Sequence, residues 1–110
     1  MDVQLKRGIL DVCVLAALLQ GESYGYQIVQ DLAGHGIEIS ESTLYPILRR
    51  LEAAGCLSED SRAHNGRLRK YYRMTDAGRE RINGFLEEWK TVMNVYTFIE
   101  TEMGSHEADE

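Results

Sequence analysis

Two short stretches hold most of the side chains that could do chemistry. Ser42, Thr43, Tyr45, Pro46, Arg49 and Arg50 crowd the first, and Arg62, His64, Asn65, Arg67, Arg69 and Lys70 the second. What these types lack is a reaction. There is no Ser/His/Asp set, no Cys/His pair with local support and no glycine-rich phosphate loop after a strand, so no catalytic residue is assigned and no enzyme is expected. Gly21 to Gly25 and Gly34 to Gly36 read as helix punctuation. His35, His64 and His106 stand apart from one another, and Cys13 and Cys56 lie outside any CxxC or Cys/His cluster, so neither a metal nor a cofactor is expected. The cysteines read as small apolar core residues. Hydroxyls, a phenol, an amide and guanidiniums suit recognition instead. The matching partner is negative and edged with acceptors, which describes double-stranded DNA.

The first stretch needs a helix to carry it. Ser40 or Ser42 can cap its start and Gly55 its end. Leu44, Ile47, Leu48 and Leu51 fall at i, i+3, i+4 and i+7 and give it one apolar face. In a major groove, Ser42, Thr43 and Tyr45 in the N-terminal half would meet bases or phosphates, and Arg49 and Arg50 would reach the backbone. The plainer alternative is a surface helix with ordinary polar decoration. Pro46 removes an N–H. Either it starts the helix late or its ring touches a thymine methyl. Upstream, Val3 to Leu19 is apolar round nearly its whole circumference in the later turns, which predicts a helix buried on its own domain and on a partner. Gly21 ends it. Ser23 is the expected N-cap of a second helix, Tyr24 to Leu32, with Tyr24, Ile28 and Leu32 on one face. A glycine-containing link, Gly34 to Ile39, joins it to the third, giving a helix-turn-helix.

The second stretch reads as a hairpin. Cys56 to Arg62 is a weak strand with Leu57 inward, and Leu68 to Met74 a stronger one. The alternation sets Lys70, Tyr72 and Met74 against Arg69, Tyr71 and Arg73. Asn65-Gly66 is the turn. The flanking arginines serve either solubility or contact with phosphate or groove. Thr75-Asp76 then caps a last helix. Its apolar residues form one series at 82, 89, 96 and 103 and another at 85, 92 and 99. From Thr75 to Met103 such a helix reaches about 40 Å, more than a small domain can cover, which predicts a homodimer. Gly84 is a weak point in it, about 1 kcal/mol worse than alanine.

The fold class is therefore mainly α with a small β-hairpin: a winged helix-turn-helix over 1–78, a dimerisation helix over 79–103, and a disordered acidic tail over 104–110. At 110 residues, 44% apolar and 27% charged, the chain is an ordinary globular one. The run from Val12 to Leu19 is too short to span a bilayer and follows Asp11, so a cytoplasmic protein with no membrane partner is expected. The net charge of −6 opposes nucleic acid only in total. Residues 1–44 hold two basic against six acidic side chains, 45–81 nine against five, and 82–110 one against seven. The positive block coincides with the two stretches, and local field outweighs the total.

Three blocks also carry a resemblance: Tyr24-Gly25-Tyr26-Gln27-Ile28, the run from Thr43 to Gly55 with its LYP and LRRLE motifs, and the run from Arg67 to Gly78 with its KYYR and T-AG motifs. With the apolar first helix they resemble the PadR family of bacterial transcriptional regulators over roughly residues 5–80. The single last helix is similar to the short subfamily. The resemblance implies a homodimeric repressor on an inverted-repeat operator, often in its own promoter, relieved by a small phenolic or otherwise aromatic effector. It places Tyr45 and its hydroxyl neighbours on the DNA-reading helix and Lys70 in the wing. Met74 stands where leucine is commoner. It also implies that flat hydrophobic compounds lodge against a tryptophan at the dimer interface. Here that is Trp89, with Val12, Leu15, Phe85 and Met93 expected to line the site, unless Trp89 simply fills the interface. Two rivals remain: a protein-interaction module on the same scaffold, and a ligand-binding sensor with vestigial DNA binding.

Overall fold

The computed structural model describes residues 3–108, with side chains from Gly8 to Glu107. The side chain of Leu5, within the apolar Val3 to Leu19 segment, and the tail's Asp109 and Glu110 fall outside what is described. In chain order the elements are α1 (Val3–Ala16), β1 (Ser23–Tyr24), α2 (Gly25–Gly34), α3 (Glu41–Ala53), β2 (Leu57–His64), β3 (Arg67–Met74) and α4 (Asp76–Ala108).

Helix α1 stops at Ala16, short of Leu19. Its last amides tighten into i to i+3 bonds, Leu18 N to Leu15 O at 2.9 Å and Leu19 N to Ala16 O at 3.1 Å. Val14, Leu15 and Leu18 are buried, while Ala16 and Leu19 are exposed. An all-round apolar segment is thus covered on one side by its own chain and open on the other.

Ser23 is not a helix cap. Ser23 and Tyr24 form a short edge strand paired antiparallel with Tyr72 and Tyr71, making a three-stranded sheet of order β1-β3-β2. The N-cap position falls to Tyr24, extended and without a side-chain cap bond. Pairing turns the Ser23 hydroxyl inward, where it is buried and meets no hydrogen-bond partner. Two residues are too few for alternation to announce a strand, so a hairpin was the whole sheet expected. Helix α2 runs two residues past Leu32 and buries Ile28 and Leu32.

Ser40, not Ser42, caps α3: its Oγ accepts from Thr43 N at 3.1 Å. The far end closes with Cys56 N on Leu51 O and Gly55 N on Glu52 O, both 2.9 Å, with Gly55 at φ 77°. Pro46 does not start the helix late; it is the sixth residue. Its missing donor leaves the Ser42 carbonyl without its helical partner. Leu44, Ile47, Leu48 and Leu51 make the expected buried face.

Asn65 (φ 52°) and Gly66 (φ 79°) form the two-residue turn whose twist suits a hairpin. The register runs from His64 opposite Arg67 to Leu57 opposite Met74. Tyr72 is buried and Met74 half-buried on the inner face, as the alternation predicts. Thr75 caps α4, accepting from Gly78 N at 3.2 Å while its hydroxyl donates to Gly55 O at 2.6 Å. Gly78 is required there: a Cβ would lie 2.2 Å from the Cys56 carbonyl oxygen.

Helix α4 continues through Gly104 to Ala108, where a disordered tail was expected. Neither Gly104 nor Ser105 removes a backbone donor, so a long helix already nucleated propagates through them. Ile82 is buried and Phe85 and Trp89 half-buried, but every residue from Lys90 to Glu107 is exposed. The molecule is accordingly 69 Å long and about 25 Å across. Val92, Met93, Val95, Tyr96, Phe98, Ile99 and Met103 all lie bare along this arm. No helix among the described residues is long and apolar enough to cross a membrane.

Candidate nucleic-acid interface and the hollow beside Trp89

The front of α3 carries Ser42, Thr43, Tyr45, Pro46 and Arg49, all exposed. The Ser42 and Thr43 hydroxyls lie 2.9 and 3.1 Å from Ser40 Oγ, so the three oxygens cluster at the helix start. Tyr45 is only 38% exposed. Its hydroxyl donates to Glu41 Oε2 at 3.3 Å, and its ring lies across the first turn of α2. Gly25 permits this approach, since a Cβ there would sit 2.8 Å from the phenol oxygen. Burial, then the Glu41 carboxylate, push the Tyr45 phenol up from its ordinary value.

Arg50, expected at the DNA backbone with Arg49, points the other way. Its Nη2 lies 2.5 Å from Asp11 Oδ1, and Arg81 Nη2 donates to Asp11 Oδ2 at 3.1 Å. Asp11 is 2% exposed. A buried carboxylate needs charged partners, and Arg50 supplies one from α3 as Arg81 does from α4. Neither Asp11 nor Arg81 was singled out from sequence as a functional position. The available signal was a lone aspartate inside an apolar run.

The wing divides in the same way. Asn65, His64 and Arg67 stand exposed at the tip, with Asn65 Nδ2 3.3 Å from His64 Nε2. Arg62 lies 3.8 Å over the Tyr71 ring and donates to Glu22 Oε1 at 2.6 Å. Arg69 lies 3.6 Å over the Tyr24 ring, and its Nε donates to the Tyr71 hydroxyl at 2.9 Å. Arg73 also reaches Glu22, at 3.4 Å. These arginines, two of them expected on DNA, brace the hairpin against β1, each guanidinium stacked or paired on the outer face of the sheet. Hydrogen bonding from Arg62 holds the Glu22 carboxyl below its usual range, against a smaller opposing effect of desolvation. Lys70 is exposed, 3.6 Å from Glu59.

Between α2, α3 and the wing lies an open cleft of about 610 Å³. Arg49, Arg69 and Lys70 line it together with Glu41 and Glu59, and Tyr45 and Tyr72 form part of its wall. Desolvation, reinforced by Glu59, pushes the Tyr72 phenol up to about 12. It stays neutral where two carboxylates already stand.

A second hollow, about 480 Å³, opens where α1 crosses α4. Val12, Phe85 and Trp89, three of the residues named for an effector site, line it with Gly8, Ile9, Arg81, Gly84, Glu88 and Val92. Phe85 and Trp89 stack with centroids 5.6 Å apart and planes at 19°. Beside them, a Cβ on Gly84 would meet nothing within 4 Å, so the helix surface there is open. Leu15 and Met93 do not belong to it. Leu15 is fully buried in the core, on the face of α1 turned to the other helices. Met93 lies at a separate hollow with Leu86 and Lys90, which Trp89 also borders.

The family model described as the transcriptional regulator PadR-like family matches residues 14–84. A transcriptional regulator of Mycobacterium tuberculosis, Rv3488, is 40% identical over 76 residues, 69% of this chain and 71% of that protein. The crystal structure of a PadR family transcriptional regulator from Eggerthella lenta superposes with a TM-score of 0.79 at 37% identity, covering 88% of this chain and 86% of that one. Bacillus subtilis PadR in complex with operator DNA superposes with a TM-score of 0.66 at 26% identity, over 71% of this chain and 46% of that one.

Proposed function

Because this chain belongs to the PadR-like family of transcriptional regulators, and so is a regulator and not an enzyme, we propose that it is a cytoplasmic, homodimeric repressor. It binds an inverted-repeat operator in double-stranded DNA through α3 and the wing. A small aromatic or phenolic effector beside Trp89 modulates that binding.

The observation that carries the reading is the bare front of α3 set beside an exposed wing tip. Ser42, Thr43, Pro46 and Arg49 occupy one, and His64, Asn65 and Arg67 the other, while exposed Lys70 lies further down the wing, 3.6 Å from Glu59. That is the pair of elements a winged helix-turn-helix offers to groove and backbone. The operator complex of Bacillus subtilis PadR supports it as a relative's behaviour. Tyr45 contributes its ring edge from a fixed position. Arg62 and Arg69 stiffen the wing. The arm from Val92 to Met103 supports dimerisation, because apolar residues left at 45–64% exposure along one helix call for a covering surface.

Binding to the DNA upstream of its own gene, measured in rising salt, tests this. Affinity should fall steeply with salt and exceed that for random duplexes. Equal affinity for random DNA would sink it. A structure of the dimer should set the two α3 helices about 34 Å apart.

The hollow beside Trp89 favours one second reading, a sensor whose DNA binding is vestigial. Trp89 is the single tryptophan, so its fluorescence reports the α4 surface on which both hollows open. Quenching by planar aromatics with no change in DNA affinity would support the sensor over the repressor.

A further inference from the structure

Among the described residues Asp11 is the one buried charged side chain, and it lies where three helices meet. Its oxygens hold two helices at once: Oδ1 accepts from Arg50 Nη2 of α3 at 2.5 Å, and Oδ2 accepts from both Arg50 Nε at 3.4 Å and Arg81 Nη2 of α4 at 3.1 Å. Arg81 does a second thing. With Phe85 and Glu88, four and seven residues further on, it faces the hollow beside Trp89. Val12, next to Asp11 in the chain, faces the same hollow. Arg50 is next to Arg49, which stands on the front of α3.

We propose that Asp11 is the positioning residue that couples the hollow beside Trp89 to the setting of α3. The inference rests on the effector reading above and names the residue through which it would act. Two guanidiniums held close to one another repel, and only the carboxylate between them makes the arrangement favourable in a partly dry site. Whatever enters the hollow meets Arg81 in its wall. When Arg81 moves, Asp11 is left with one cation instead of two and its hold on Arg50 changes. Arg50 is rooted in α3, so the groove-facing helix shifts with it. A ligand acts this way only by binding one setting of the helices better than the other. The coupling is then reciprocal, so DNA alters ligand affinity by the same factor that ligand alters DNA affinity.

The test uses the full chain, a duplex recovered by in vitro selection, and anilinonaphthalene sulfonate as the probe of the hollow, read through its own emission and that of Trp89. In the unaltered protein the duplex should change probe affinity on the order of tenfold, and saturating probe should change duplex affinity by the same factor. In Asp11→Asn, which keeps the shape and removes the charge, that factor should fall to near one, while helix content, dimer formation and probe binding to the free protein persist. Arg81→Lys should keep an intermediate factor, and it carries the test alone if Asp11→Asn does not fold. A factor unchanged in Asp11→Asn, or in Arg81→Lys where that variant stands alone, overturns the coupling role and leaves the effector reading intact. A factor of one in the unaltered protein, with probe bound beside Trp89, overturns both.

Discussion

Arg49 and Arg50 are neighbours in the chain and belong to different regions of the molecule. Arg49 stands in water on the front of α3 beside the open cleft. Arg50 turns back to the junction of α1, α3 and α4 and closes on Asp11. The wing repeats the division, with Arg67 exposed at the tip and Arg62 and Arg69 stacked on Tyr71 and Tyr24. Each region thus has charges that are open and charges that are committed. The lesson concerns electrostatics. A net +4 over residues 45–81 counts all of them, but a cation already facing a carboxylate adds little to the field a phosphate meets. For the proposed operator binding, the effective footprint is smaller than the count and reduces to the α3 front and the wing tip.

The sharpest test of that division is a pair of double variants. Arg50→Ala with Arg81→Ala leaves Asp11 buried and without a cation. Urea unfolding should show a loss on the order of 3 kcal/mol, below the cost for a fully enclosed pair because both guanidiniums reach water. Arg49→Ala with Arg67→Ala should stay within about 1 kcal/mol in stability. It should lower affinity for all duplexes and reduce the salt slope by about two, one for each phosphate contact. If the two pairs lose stability equally, the division is wrong.

The same division explains what could be read from sequence. The helix order and the buried face of α3 follow from periods of several residues, and the hairpin turn from the Asn65-Gly66 pair itself; all three stand as expected. What escaped is pairwise and long in range. Asp11 meets Arg50 across 39 residues and Arg81 across 70, and no local pattern announces such a partner. Strand β1 is two residues long, and only Tyr71 and Tyr72 reveal it. Arg62 and Arg69 read as cations beside a turn until Tyr24, Tyr71 and Glu22 are seen beneath them. Leu15 and Met93 were expected at the Trp89 site from the family resemblance, which points to a tryptophan at the interface and leaves open the face of α1 and of α4 turned to it. Which face of each meets the other is a matter of packing, not of period.

A smaller effect separates the committed phenol from the half-open one. Tyr72 is buried with its phenol raised to about 12. Its folded value lies above the unfolded one, near 10, so the folded state holds the proton more tightly. That contribution is complete below pH 10 and is lost as pH rises from about 10 to 12. Thermal unfolding followed across that window should show Tyr72→Phe with a flatter alkaline decline than the unaltered protein. Tyr45→Phe should leave the decline nearly as steep, because Tyr45 keeps contact with water. Equal flattening by both would place them in one class.

The smallest effect is expected at Glu22, which pairs with Arg62 and Arg73 on the outer face of the sheet. Its folded value is lowered, chiefly by the Arg62 hydrogen bond, so its contribution is present above the ordinary carboxylate value near 4.5 and fades as pH falls through the lowered one. Both partners are exposed and salt screens them. Glu22→Gln should therefore alter the acid limb only slightly, and less in high salt. Its more telling readout is DNA affinity at neutral pH. Removing the carboxylate opens Arg73, leaves Arg62 with only Asp60 at 3.5 Å and the Tyr71 ring, and loosens the brace between wing and β1. If commitment is what keeps Arg62 out of the footprint, Glu22→Gln should raise affinity for random duplexes and steepen the salt dependence. If stiffness of the wing matters more, affinity should fall with the slope unchanged, and Arg62 would be defined as a brace whatever charge it carries.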